Sequence, residues 1–238
     1  VYEVSIDGGD DFTVGGESTS IATETAIITY AASDALSYSI GNILSYQGFE
    51  AFDATGLYQY SYSGQGGSPL YSASYAFGAC ADYVTADYSL GFWVGDSGGD
   101  ASTEYLFAYT GIEDVTLKFI YADDPTYEST NIWGSYDYGD FTFAFEYYDS
   151  EQLASGEETD TMMFLVYKAF GDAGLTLRYT DASVTIGGVS GDYEKTTISP
   201  SYAFSDNVFG LIEFSSEELS AAGAPDQDSA AVELIYSF

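Results

Sequence analysis

The sequence predicts an all-β fold, a transmembrane antiparallel up-and-down β-barrel of about 14 strands, with twelve or sixteen strands as the alternatives. Three observations predict it. Apolar and polar residues alternate with a period of two, the alternating segments are about 10 residues long, and short connections alternate with long ones. No helical pattern with capping residues and no linker interrupts these segments, so residues 1–238 are predicted to form one domain.

The period of two is clearest at the end of the chain. Val232, Leu234 and Tyr236 share one face of the predicted strand, opposite Glu233 and Ile235. Strands of about 10 residues are long enough to cross a bilayer when tilted, whereas strands of soluble proteins are nearer 5–6 residues. The apolar face is therefore predicted to contact lipid and the polar face to line an enclosed lumen.

The predicted strands cover most of the chain. They lie at 1–7, 22–31, 35–45, 68–77, 81–95, 102–111, 114–122, 128–138, 140–149, 160–170, 174–183, 193–204, 207–217 and 228–238.

The predicted connections alternate in length. Short turns are predicted at 32–34, 78–80, 111–114, 139, 171–173 and 205–206, and longer loops at 8–20, 46–67, 96–101, 123–127, 150–159, 184–192 and 218–227. Outer-membrane barrels have short periplasmic turns and longer outer loops. The pattern therefore predicts a Gram-negative outer-membrane location with both chain ends in the periplasm.

The composition excludes several classes of function. The chain has 38 acidic residues, 4 basic residues, no His and 1 Cys, which gives a formal charge of −34. That charge repels nucleic acid, because phosphate contacts need Lys and Arg. Without His there is no Ser-His-Asp triad and no His-based zinc site. No catalytic residue, metal ligand or cofactor is therefore predicted.

Three stretches carry a resemblance to a known family. Residues 232–238 (VELIYSF) end in Phe after alternating apolar residues, and residues 201–207 (SYAFSDN) are similar to periplasmic turns of porins. The segments SIGN at 39–42, GFEAFD at 48–53 and YQYSYS at 58–63 are similar to β-barrel porins of the OmpL-like group. The resemblance implies a Gram-negative outer-membrane porin.

Charged residues on the polar faces are the candidate pore lining, because a charge facing lipid costs a few kcal/mol, about 2–4 at the midplane for Lys or Arg. They are Glu104, Lys118, Glu146, Arg178, Lys195, Glu213 and Glu233. The alternative is that these charges pair across the lumen and only stabilise the barrel.

The longest predicted loop, 46–67, is the candidate constriction. Aromatic residues are unfavourable in an exposed loop, so the loop either folds into the lumen and narrows it or packs on a neighbouring subunit. The residues proposed for the constriction are Tyr46, Phe49, Glu50, Phe52, Asp53, Tyr58 and Tyr60.

These features predict a porin that passes small hydrophilic solutes by diffusion. Acidic residues in the predicted loops, among them Asp123, Glu151 and Glu158, predict a preference for cations at the mouth. The alternative is a plugged barrel that acts as a surface anchor or as a subunit of an envelope assembly. The predicted partners are outer-membrane lipid and small polar solutes or cations, with a homotrimer as one arrangement.

Overall fold

The computed structural model describes residues 2–10, 21–50, 58–61, 75–97, 99–220 and 226–237. Fourteen β-strands form a single sheet. They are β1 Tyr2–Asp10, β2 Ile21–Ala31, β3 Leu36–Leu44, β4 Tyr75–Val84, β5 Tyr88–Ser97, β6 Asp100–Ile112, β7 Val115–Asp123, β8 Tyr127–Tyr138, β9 Phe141–Gln152, β10 Glu157–Phe170, β11 Ala173–Ile186, β12 Val189–Ser205, β13 Val208–Leu219 and β14 Gln227–Tyr236.

The topology is up-and-down. Each strand pairs antiparallel with the next one along the chain, and the order in the sheet is the order in the sequence. The predicted antiparallel fold with about 14 strands is confirmed. In the described part of the chain, no helix is long and apolar enough to cross a membrane.

The two faces of the sheet have opposite chemistry. The buried face is mainly polar or charged, and its fully buried side chains include Lys195, Glu146 and Asn131. Large apolar side chains cover the other face and are 40–70% exposed; they include Phe77, Phe107, Phe119, Phe145, Phe164, Leu177, Ile198, Phe214 and Leu234. A water-soluble protein buries such side chains, so this sheet has the polarity expected of a barrel wall with a polar interior.

The two ends of the sheet also differ. We call the end with the connections 32–35, 85–87, 113–114, 139–140, 171–172 and 206–207 the turn rim, and the opposite end the loop rim. Tyr2 pairs with Tyr30, and Tyr236 pairs with Val208, so both ends of the described chain lie at the turn rim.

The predicted turn at 78–80 is wrong, and with it the predicted end of strand 68–77 and the predicted start of strand 81–95, because β4 runs to Val84 and β5 starts at Tyr88. Residues 68–74 of the first of these predicted strands lie outside the described residues. Gly78 lies in the middle of β4 and pairs with Gly95 on β5. A Cβ atom on Gly78 would lie 2.6 Å from Cε2 of Trp93, so the glycine leaves room for the indole ring. The prediction failed because a glycine that permits close packing inside a strand looks the same in sequence as one that makes a turn.

The actual turn between β4 and β5 is made by Thr85. Its hydroxyl oxygen accepts a hydrogen bond from the backbone N–H of Tyr88 at 3.0 Å, and its own hydroxyl donates to the Tyr88 carbonyl at 2.8 Å. Serine and threonine often close turns in this way.

Two predicted long loops, 96–101 and 184–192, are tight hairpins. Strand pairing continues to Ser97↔Asp100 and to Ile186↔Val189. Gly187 and Gly188, with φ of 60° and 80°, supply the positive φ angles of a two-residue hairpin turn. The polar residues that suggested loops are instead the exposed ends of long strands, so the predicted alternation of short and long connections holds only in part.

The exposed apolar face generates a prediction about lipid contact. Phe119, in the middle of β7, is 44% exposed, and Phe204, near the turn rim on β12, is 63% exposed. In phospholipid vesicles we expect Phe119→Arg to lower the free energy of unfolding by about 2–4 kcal/mol and Phe204→Arg by about 0–1 kcal/mol. Urea titration monitored by tryptophan fluorescence measures both values. Equal losses at the two positions would contradict a lipid-facing wall.

Candidate functional site

Part of the connection between β3 and β4 lies against the polar face of the sheet. We call residues 45–61 the strap, of which the structure describes 45–50 and 58–61. The described strap residues hydrogen-bond to side chains on β4, β6, β8, β9, β11 and β13.

The described strap residues contact strands from β4 to β13, on the polar face of the sheet. We call this polar face the inner face and the opposite, apolar face the outer face.

Glu104 on β6 holds the start of the strap. Its carboxylate accepts hydrogen bonds from the Ser45 hydroxyl at 2.7 Å and from the backbone N–H of Tyr46 at 2.8 Å. The Tyr46 hydroxyl donates to Asp82 at 2.6 Å. Burial, together with the neighbouring Asp82, raises the pKa of Tyr46, so its hydroxyl keeps the proton that it donates.

Glu146 on β9 binds the next residues of the strap by hydrogen bonds. It accepts hydrogen bonds from the backbone N–H of Phe49 at 3.2 Å and from the Asn131 side chain at 2.7 Å. The side-chain oxygen of Asn131 accepts the backbone N–H of Gly48 at 2.9 Å. Buried carboxylates need hydrogen-bond donors, and here the strap backbone supplies them.

An ion pair fixes the middle of the strap. The Arg178 guanidinium lies 2.9 Å from the Glu50 carboxylate, and each side chain is 1% exposed. Arg178 also donates to the Ser61 carbonyl at 3.2 Å, and the Ser61 N–H donates to Glu213 at 2.7 Å. Gln59 donates to Glu50 and to the Ser61 carbonyl. The two described parts of the strap are thus joined through one buried polar network.

Aromatic packing adds an apolar contact beside this network. The Phe49 ring meets Trp133 edge-on with centroids 5.5 Å apart, and Tyr58 packs on Tyr167 at 4.9 Å. Phe49 and Tyr58 both pack against a small buried cluster that includes Met163. This inner cluster explains why the middle of β10 is apolar on both faces.

The other charged residues predicted to line the lumen also lie on the inner face. Lys195 is buried and pairs with Glu217 at 2.8 Å. Lys118 is half-buried, with its ammonium 4.7 Å from the centroid of the Trp133 ring. Glu233 on β14 is half-buried. The structure therefore places all seven predicted residues on the inner face, with four of them, Glu104, Glu146, Arg178 and Glu213, bound to the strap.

The predicted constriction residues divide into two groups. Tyr46, Phe49, Glu50 and Tyr58 contact the inner face through the interactions above, whereas Tyr60 is 43% exposed. Phe52 and Asp53 lie outside the described residues.

Sequence reasoning missed four contributors. Three of them lie at inward positions of their strands, which the period of two predicts: Asn131, Thr176 and Glu217. They were missed because the predicted lining included only charged residues, and only some of these. Thr176 donates its hydroxyl proton to the Tyr58 carbonyl at 2.7 Å. Asp82 was missed because it fell at the start of the predicted strand 81–95, next to the wrongly predicted turn, whereas it lies near the end of β4.

Acidic residues mark the loop rim, but many of them lie on strands. Asp123, Glu128, Glu151 and Glu158 are directly opposite one another across β7, β8, β9 and β10, and all four are exposed. They lie on the outer face, in line with the exposed aromatic residues below them. The predicted acidic loops are therefore partly an acidic band around the outside of the rim.

One up-and-down antiparallel sheet of 14 strands, an apolar outer face and a strap on the polar inner face are together features of the outer-membrane β-barrel fold. Comparison with solved structures supports this class. OmpT, an outer membrane protein of Vibrio cholerae, is similar with a TM-score of 0.66 at 11% identity, covering 99% of this chain and 95% of that one.

Two further structures show the same similarity. A porin matches with a TM-score of 0.66 at 15% identity over 90% of this chain and 81% of the porin. OccK3 (OpdO) of Pseudomonas aeruginosa matches with a TM-score of 0.61 at 14% identity over 89% of this chain and 68% of that one. No family model and no curated protein matches the sequence.

The predicted resemblance to outer-membrane porins is confirmed at the level of the fold. The narrower resemblance to the OmpL-like group stays a prediction.

The buried ion pair of the strap generates a prediction about stability. Arg178→Met leaves the Glu50 carboxylate buried without its cation, and breaking a buried pair in this way costs about 3–5 kcal/mol. We expect that loss in the free energy of unfolding in vesicles, measured by urea titration monitored by tryptophan fluorescence. The double variant Glu50→Gln with Arg178→Met should recover part of the loss, because it removes the unpaired charge. A double variant no more stable than Arg178→Met would contradict this account.

Proposed function

We propose that this chain is an outer-membrane channel for passive diffusion of small hydrophilic solutes. The observation that carries the proposal is the reversal of polarity across one sheet, with exposed apolar side chains outside and buried charged side chains inside. A polar interior that runs between two rims suits transfer of water-soluble molecules.

The outer membrane of a Gram-negative cell is the proposed location. The similar solved structures include outer-membrane proteins, and the exposed aromatic and aliphatic side chains provide a surface for hydrocarbon. We place the turn rim, and with it both chain ends, in the periplasm, since short turns face that side in this class.

We further propose a preference for cations. The chain carries a formal charge of −34, and acidic residues are frequent at the loop rim. Such a field raises the local concentration of cations and lowers that of anions. The outward position of the Asp123–Glu158 row means that this field acts around the rim as well as at the entrance.

The strap is the proposed constriction. The proposal is supported by the position of its described parts on the inner face, where Glu104, Glu146, Arg178 and Glu213 bind them. In a closed barrel they would occupy space that a solute would otherwise use. Glu104, Glu146 and Glu213 would then position the constriction by binding its backbone N–H groups.

A plugged barrel is the second candidate. It is favoured by the close packing of the strap, whose contacts leave Met163, Leu165 and Thr176 at most 1% exposed. In that case the chain would serve as a surface anchor or as a subunit of an envelope assembly. A homotrimer and the absence of catalysis stay predictions under either candidate.

Reconstitution separates the two candidates. Purified protein in a planar bilayer should give unitary currents, and vesicles that contain it should swell in isosmotic solutions of small sugars. With a salt gradient, the reversal potential should have the sign of a cation-preferring channel. Folded protein that gives neither current nor swelling would favour the plugged barrel, and an anion-preferring potential would reject the proposed selectivity.

Releasing the strap should widen the channel. In the double variant Glu104→Gln with Glu146→Gln, neutral amides replace the two carboxylates that accept the strap N–H groups, and bonds to charged acceptors are roughly twice as strong as neutral ones. We expect higher and noisier single-channel conductance. The matched control is the double variant Glu158→Gln with Glu194→Gln, which removes two carboxylates from the exposed outer face. Unchanged conductance in Glu104→Gln with Glu146→Gln would contradict the role of the strap.

A further inference from the structure

The four glutamates predicted to line the lumen differ in their partners. Glu104, Glu146 and Glu213 are 1–6% exposed, and each accepts a backbone N–H from the strap. Glu233 is half-buried, and among the described residues its Oε2 atom has no hydrogen-bond partner although it is buried. Oε2 of Glu146 also has no hydrogen-bond partner among the described residues, so exposure is what distinguishes Glu233. The first three glutamates are bound to the strap backbone and almost fully buried, whereas Glu233 is half-buried.

Solvent exposure along the inner face points to the same residue. The inner side chains Lys195, Thr197 and Ser199 of β12 are at most 2% exposed, whereas Ala231, Glu233 and Ile235 of β14 are half-buried. Among the described residues, the last strap contact along the sheet is Ser61 with Glu213 on β13. Glu233 therefore lies one strand beyond that contact, where the inner wall is more accessible.

The basic residues of the chain have partners or positions away from Glu233. Arg178 pairs with Glu50, and Lys195 pairs with Glu217. Lys168 lies over the Phe141 and Phe170 rings, on the apolar side of β10.

The remaining cation, Lys118, lies on the inner face of β7 beside Trp133. In the order of the sheet, β7 and β14 are separated by seven strand spacings, half of the way around a barrel of this size. None of the four basic residues is thus paired with Glu233.

We propose that Glu233 is a specificity-determining residue of the channel and that its carboxylate favours cations over anions along the β14 side of the lumen. The inference rests on the proposed diffusion function. It assigns different roles to similar residues: Glu104 and Glu146 position the strap, and Glu233 acts on the passing ion. The chemical class that it recognises is small hydrated cations.

Salt-gradient reversal potentials in planar bilayers test the assignment, with potassium chloride as the probe. Glu233→Gln keeps the size of the side chain and removes its charge. One unit charge about 6 Å from the ion in water changes the local concentration of each ion about threefold, in opposite directions for potassium and chloride. We therefore expect the ratio of potassium to chloride permeability to fall about tenfold, with little change in conductance. Glu233→Lys should lower the ratio further.

Two controls separate this role from a general charge effect. Glu194→Gln makes the same change in net charge on the outer face and should keep the wild-type ratio. Glu104→Gln with Glu146→Gln should change conductance and leave the ratio within twofold of wild type. Vesicle-inserted Glu233→Gln with resistance to trypsin equal to wild type establishes that the variant is folded.

The possible results have distinct meanings. Wild-type current with a cation preference that persists in both Glu233 variants would overturn the inference and leave the diffusion function standing. A ratio that falls equally in Glu194→Gln would also overturn it, because the rim field would then set selectivity. Folded wild-type protein without current would overturn the proposed function and the inference together.

Discussion

The alternation of side chains across one hydrogen-bonded sheet is the constraint on which the rest of this structure depends. A strand can offer only two faces, and here one face is apolar and the other is polar along nearly every strand. No second layer of strands covers the exposed apolar side chains in the described structure. The apolar face therefore needs hydrocarbon, and the polar face needs water or polar protein groups.

The strap supplies some of the polar groups that the inner face needs. Carboxylates buried on the inner face are stable only when donors surround them, and a loop backbone is rich in N–H groups that have no partner within a strand. Glu104, Glu146 and Glu213 accept such groups, while Arg178 neutralises Glu50. The position of the strap thus follows from the charges on the wall, and the same charges that suggest an ion path are largely occupied in holding the strap.

The sequence allowed the face of each strand to be predicted because a period of two does not depend on exact strand ends. Glu104, Glu146 and Arg178 were placed correctly inside on that basis. The position of β4 was not predictable in the same way, since Gly78 accommodates Trp93 and makes no turn. The strap partners were also beyond prediction, because hydrogen bonds between a loop and distant strands leave no local pattern in the sequence.

The strap has a consequence for the order of assembly. It precedes β4 in the chain, yet Ser61 bonds to Glu213, which lies 152 residues later. Closing so large a separation carries an entropic penalty, and contacts of this kind slow folding. The strap can therefore complete its contacts only once the thirteenth strand is present, after most hairpins have formed.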